Sequence, residues 1–235
     1  MKEFVRRLPF VGRLAASVYR RSIRPPRPFA GSEAYWTARY ASGGNSGAGS
    51  YDQLAEFKAE FINGFVTEKN IETIIEYGCG DGNQLELATY PRYVGFDVSE
   101  NAISRCRELF ANDRGKRFSL LRDYADDRAQ LTLSLDVLYH LVEDHVFEDY
   151  VKRLFDSSQG YVVVYSSDTD VQKPGQASHV KHRNFTEWVR KNRSEWKLQR
   201  HVPNRFPIVD DETSGSFADF YVYERCSFRT TPERF

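Results

Sequence analysis

The first regular pattern of apolar positions follows Pro9, where Phe10, Val11, Leu14 and Val18 repeat at helical spacing while Arg13, Arg20 and Arg21 take other faces. This predicts a short basic amphipathic helix. Pro25, Pro26 and Pro28 then form a stiff linker that ends the arm. Residues 42–50, Ser-Gly-Gly-Asn-Ser-Gly-Ala-Gly-Ser, are too rich in glycine for helix or strand and read as a loop between two helical stretches. Such a loop either covers a site with its backbone N–H groups or is a solvated linker. Leu54, Phe57, Phe61 and Phe65, with Ala55, Ile62 and Val66 beside them, predict a helix with a buried face.

From residue 71 short apolar runs alternate with helical ones. Residues 71–77, 93–97, 118–122, 131–139 and 161–165 read as strands, and 84–88, 102–110, 147–155 and 185–191 as helices. Alternation of this kind implies a parallel sheet with right-handed crossovers. The runs 196–202 and 217–226 have no helix of crossover length between them and predict an antiparallel pair at the sheet edge. The expected fold is α/β and Rossmann-like: a mostly parallel seven-stranded sheet with an antiparallel edge strand and helices on both faces. At 235 residues the chain is sized for one domain, 29–235, preceded by the arm 1–28.

Charge alters this picture at one end. Residues 1–28 carry Lys2, Arg6, Arg7, Arg13, Arg20, Arg21, Arg24 and Arg27 against Glu3, a net +7. The whole chain is neutral, so the remainder is −7. A body of that sign argues against nucleic acid as partner. The arm's basic face suits peripheral contact with an anionic membrane, or packing on the body or a neighbouring subunit. Arg6, Arg7 and Arg13 break the apolar stretch a signal peptide needs, and no run of apolar residues approaches the ~20 that cross a bilayer. Cys79, Cys106 and Cys226 supply neither a disulfide framework nor paired metal ligands, which fits a cytoplasmic protein, peripheral to the inner membrane surface at most.

The chemistry concentrates after the first strand, in Glu76-Tyr77-Gly78-Cys79-Gly80-Asp81-Gly82. Glycines at every second position permit positive φ angles and let a ligand approach the main chain. Asp97 stands twenty-one residues after Glu76 at the end of the second strand, where a carboxylate accepts hydrogen bonds from ribose hydroxyls. Together they indicate a ribose-bearing cofactor. The G-x-G-x-x-G spacing of nicotinamide sites is absent.

On these residues the chain resembles the class I methyltransferases that use S-adenosylmethionine (SAM), whose first motif is E/D-x-G-x-G-x-G. The resemblance runs from about Tyr35 to the C-terminus. It implies SAM as cofactor, with Gly78, Cys79, Gly80 and Gly82 beneath the methionine part and Glu76 orienting it. It further implies Asp97 at the ribose, Val98 beside the adenine, and Asp123 with Tyr124 near the adenine amino group, Asp126 and Asp127 standing close enough to substitute. Asp136, ending the fourth strand, matches the position that borders both cofactor and acceptor.

Methyl transfer to a hydroxyl needs a base near the fourth strand. His140 lies just past that strand and ionises in a suitable range, with His145 as competitor and a packing role as the alternative. A second cluster, His179, His182 and Arg183, with Asp168 after the fifth strand, suits contact with an anionic or sugar acceptor, or a solvated basic turn. A divalent ion on the paired histidines with Asp168 or Asp136 is conceivable, but no established metal spacing indicates one. The lead-in Tyr35-Trp36 and Ser46-Gly47, with the block 179–188, resembles bacterial enzymes of glycan and secondary metabolism. The expectation is an O-methyltransferase for a sugar or other small-molecule hydroxyl, with His140 as base. The alternative is a non-catalytic, membrane-associated partner that binds SAM or nothing.

Overall fold

The computed structural model describes residues 29–208 and 215–227, so the helix expected in the arm lies outside the described residues. Helix α1 (Ser32–Ala41) and helix α2 (Asp52–Glu68) flank the glycine-rich loop. Strands β1 (Thr73–Tyr77) and β2 (Arg92–Asp97) follow, then α3 (Glu100–Leu109), β3 (Lys116–Leu120) and β4 (Ala129–Leu135). The order closes with α4 (Asp144–Asp156), β5 (Ser158–Ser166), α5 (Phe185–Asn192), β6 (Trp196–Val202) and β7 (Asp219–Arg225).

The seven strands form one sheet in the order β3-β2-β1-β4-β5-β7-β6. Pairing is parallel from β3 to β5, whereas β7 runs antiparallel to both β5 and β6. The antiparallel pair at the edge is therefore present, with β7 inserted one place in from it. Alternation along each strand sorts side chains between two apolar layers. On β5, Tyr161, Val163 and Tyr165 join the layer that receives Ile62 and Phe65 of α2 and Ile103 of α3. Val162 and Val164 join the opposite layer, against Val151 and Leu154 of α4 and Val189 of α5.

Three expected elements differ in extent, each for a local reason. The helix expected at 84–88 is one 3-10 turn, Gln84–Leu87, between Gly82 at φ +84° and Ala88, which is already extended. The fourth strand stops at Leu135 because Asp136 takes φ +59°, outside extended backbone. Residues 138–140 then form a 3-10 turn, placing His140 at its end. The third strand runs 116–120, and Asp123 ends the short 3-10 turn after it.

Candidate active site

Strand order reverses between β1 and β4, and in open α/β sheets the crevice beyond the strand ends at that point is where ligands bind. The turn after β1 and the turn after β4 are therefore neighbours. Gly78, Gly80 and Gly82 all have positive φ, at +81°, +61° and +84°. Gly80 has no room for a side chain: an added Cβ would stand 2.3 Å from Ser46 Oγ and 2.9 Å from the Tyr40 hydroxyl. At Gly78 it would meet Val137 at 2.5 Å, where the two turns touch.

Two carboxylates hold this turn. Asp97 Oδ2 accepts the Gly80 N–H at 3.1 Å and Oδ1 the Ser99 N–H at 2.9 Å. Burial raises its pKa to about 6, against the lowering effect of these backbone donors. Glu76, also buried, accepts the Tyr93 hydroxyl at 2.7 Å, and burial carries it to about 7. The Cys79 side chain fills the space left by the missing side chain of Gly95, so its thiol belongs to the core and only its backbone belongs to the turn. Val98 is half-buried beside Asp97.

The glycine-rich loop packs on this turn and, with α1, forms a strap across it. Ser46 donates from N and Oγ to the two oxygens of Asp81, at 3.0 and 2.7 Å. The Tyr51 hydroxyl joins on Asp81 Oδ2 at 2.9 Å, and these donors outweigh burial to keep Asp81 below the usual carboxylate range. At the other end of the strap, Ser32 donates from N and Oγ to Glu143, at 2.9 and 2.5 Å. Helix α1 is thus fastened to the glycine turn through Asp81 and to the β4–α4 connection through Glu143.

In the turn after β4, Asp136 Oδ2 accepts Lys58 Nζ at 2.5 Å and Oδ1 the Tyr139 hydroxyl at 2.7 Å. His140 Nδ1 stands 3.0 Å from the carbonyl oxygen of His179. A carbonyl only accepts, so Nδ1 carries the hydrogen and Nε2 keeps its lone pair. Burial lowers the His140 pKa to about 4, against the raising effect of that hydrogen bond. Its ring lies 5.4 Å from the parallel His179 ring and 4.8 Å edge-on from Trp36, and His179 stacks on Tyr35 at 4.2 Å. The strap helix and the loop after β5 therefore meet over His140.

Other expected site residues are engaged elsewhere. Asp168 accepts the N–H and hydroxyl of Thr186 at 3.0 and 2.6 Å, capping α5. Arg183 donates to the carbonyls of Leu141 and Val142 and to Asp144, and lies over Phe147. Both side chains fasten loops, Asp168 to the start of α5 and Arg183 to the turn after β4. His182 is buried, bonded to Ser167 at 2.7 Å and packed on Phe217, beneath the wall formed by Tyr139. Asp123 and Asp126 are exposed, and Tyr124 packs on Tyr77 and Phe96 within the second apolar layer. His145 is exposed on α4. Among the described residues no group of three or more His, Cys, Asp or Glu is arranged to hold a metal ion, and no helix is long and apolar enough to cross a membrane.

Sequence reasoning missed Lys58 and Tyr139. The signal for Lys58 was present: it interrupts the buried row Leu54, Lys58, Ile62 at helical spacing. Tyr139 was read as strand, which hid its turn toward Asp136.

No described protein family and no curated protein matches the sequence. Solved structures do match. The N-methyltransferase NodS from Bradyrhizobium japonicum WM9, in complex with S-adenosyl-L-homocysteine (SAH), superposes with TM-score 0.64 at 14% identity, covering 83% of this chain and 98% of that one. Magnesium protoporphyrin IX methyltransferase from Synechocystis PCC 6803, with bound SAH, gives 0.58 at 12%, covering 85% and 97%. The methyltransferase domain of bacterial CtHen1-C gives 0.54 at 22%, covering 72% and 96%. The fold is that of the SAM-dependent methyltransferases. Within that fold the glycine turn and Asp97 stand at the ends of β1 and β2 beside the turn after β4, and the glycine-rich loop packs on them.

Proposed function

We propose that this chain is a SAM-dependent methyltransferase acting on a hydroxyl of a sugar or other small molecule. The observation that carries the reading is the glycine turn of three positive-φ residues locked to a buried carboxylate, Asp97, at the switch point of a methyltransferase fold. These residues fit the cofactor. A β-carbon at Gly80 would intrude where main chain and strap meet, and the Asp97 carboxylate, with about four acceptor sites against the backbone donors of Gly80, Val98 and Ser99, keeps capacity for a ribose hydroxyl. Gly78, Gly80 and Gly82 would hold the methionine portion, Asp97 the ribose and Val98 the adenine. Bound there, SAM supplies an electrophilic methyl group on a sulfonium.

The chain's own contribution is alignment and proton removal. His140 is neutral at pH 7 in the tautomer that presents Nε2 as acceptor. Burial makes it a weak base, and a weak base suffices: an oxygen that has gained a methyl group while keeping its proton is a far stronger acid than imidazolium. Tyr35, Trp36, Tyr139 and His179 surround His140 with rings, a wall suited to stacking on a sugar or planar acceptor.

Titration calorimetry with SAM and SAH tests the cofactor step. A dissociation constant in the micromolar range, about −8 kcal/mol, is expected, with loss of binding in Asp97→Ala. His140→Ala is expected to retain SAH binding and lose turnover on hydroxyl acceptors. Loss of binding instead would make His140 a packing residue.

A further inference from the structure

Lys58 is the one feature of the site that the turn, the strap and the base leave unexplained. It sits in the middle of α2 with no exposed surface, in a row with Leu54 and Ile62, where burial of the helix face calls for an apolar residue. Its ammonium reaches past the sheet edge to Asp136 Oδ2 at 2.5 Å and lies 5.3 Å over the Tyr165 ring. Asp136 is equally unexpected as a packing residue: it takes φ +59°, a conformation glycine adopts at lower cost. Its carboxylate is held on two sides, by Lys58 on one oxygen and Tyr139 on the other. It meets the strap at Gly49, where an added Cβ would lie 2.7 Å from Oδ2. Its neighbour Val137 packs on Gly78 of the cofactor turn.

We propose that Lys58 is a positioning residue that fixes the Asp136 carboxylate beside the cofactor turn, so that Asp136 accepts a hydrogen bond from the cofactor's ammonium group. The inference rests on the methyltransferase reading above. Without Lys58 the Asp136 carboxylate would keep only the Tyr139 hydroxyl of these two side-chain partners and could rotate away from the turn that Val137 and Gly78 share. The groups facing Asp136 are Lys58 from α2, Tyr139 and His140 from the turn after β4, and Tyr165 from β5. Only Lys58 among them is a permanent cation. Lys58 also acts on Glu76 through space, lowering it against burial, so a control must separate the two carboxylates.

The test is SAH titration at pH 8. Lys58→Met is expected to bind at least tenfold more weakly, and Lys58→Arg to recover most of the affinity. The double variant Lys58→Met with Asp136→Asn is expected to bind no more weakly than Asp136→Asn alone, because Lys58 acts through Asp136. Wild-type affinity in Lys58→Met overturns the proposal, as does a further loss in the double variant beyond that of Asp136→Asn, which would assign the effect of Lys58 to Glu76. Should Lys58→Met not fold, Asp136→Asn alone decides: SAH affinity equal to wild type means that Asp136 does not face the ligand. Absence of SAH binding by the wild type overturns the cofactor reading as well, a result distinct from any of these.

Discussion

Lowering the pH from 8 to 5 is expected to weaken SAH binding about tenfold, through Asp97. In the ligand-free protein burial holds this carboxyl at about 6. Ribose hydroxyls donate hydrogen bonds to its charged form, so the complex favours the carboxylate. Below the free-state value Asp97 must release its proton before the ribose can be held, and each pH unit costs about 1.36 kcal/mol, a factor of ten. Affinity is therefore level above pH 7, bends near 6 and falls about tenfold by pH 5. Calorimetric titration across this range in wild type and Asp97→Asn gives the test, since the variant cancels the ligand's own ionisations. The variant should lose the bend and, short of one charge-assisted bond of about 1.5–3 kcal/mol, bind roughly tenfold to a hundredfold more weakly. A bend centred near 7 would assign the linkage to Glu76, which burial carries to about that value. A flat wild-type profile from pH 8 to 5 would refute the role of Asp97.

Other expectations follow from the same geometry. Asp81→Ala removes the acceptor for Ser46 N, Ser46 Oγ and Tyr51 Oη, so amide hydrogen exchange at residues 43–50 should rise at least tenfold while β1 and β4 stay protected. Gly80→Ala places a Cβ against Ser46 and Tyr40 at φ +61°, costing at least the ~1–2 kcal/mol of left-handed backbone. It should lower the thermal midpoint and abolish SAH binding together. Lys58→Met leaves the partly buried Asp136 without its cation and should cost about 1–3 kcal/mol in urea unfolding, part of it regained by adding Asp136→Asn. Glu143→Ala frees Ser32, at the N-terminal end of α1, from the β4–α4 connection, and a change in Trp36 fluorescence with little loss of stability is expected.

The geometry of the turn was legible because its signals are local. Glycines at every second position, with Asp97 twenty-one residues after Glu76 at the end of the next apolar run, mark a positive-φ turn beside a carboxylate through backbone chemistry alone. The α/β order was legible in the same way, from changes of hydrophobic period. Acceptor-side residues were harder to read, because a side chain's role there depends on its partner and not on its type. Arg183 and Asp168 are polar loop residues like His179, yet Arg183 is drawn to the Leu141 and Val142 carbonyls and Asp168 to the end of α5.

The sequence by itself determined the alternation of strands and helices from residue 71 onward, the positive-φ turn and the place of Asp97, since these depend on neighbours within a few residues. The tertiary structure alone decided that the loop at 42–50 closes on Asp81, that β7 enters between β5 and β6, and that Lys58 meets Asp136 seventy-eight residues away. Each of these joins parts of the chain that no local pattern relates. The physical reason is burial: charges and hydroxyls removed from water must find partners wherever the packed chain brings them, and only the assembled sheet sets which are within reach.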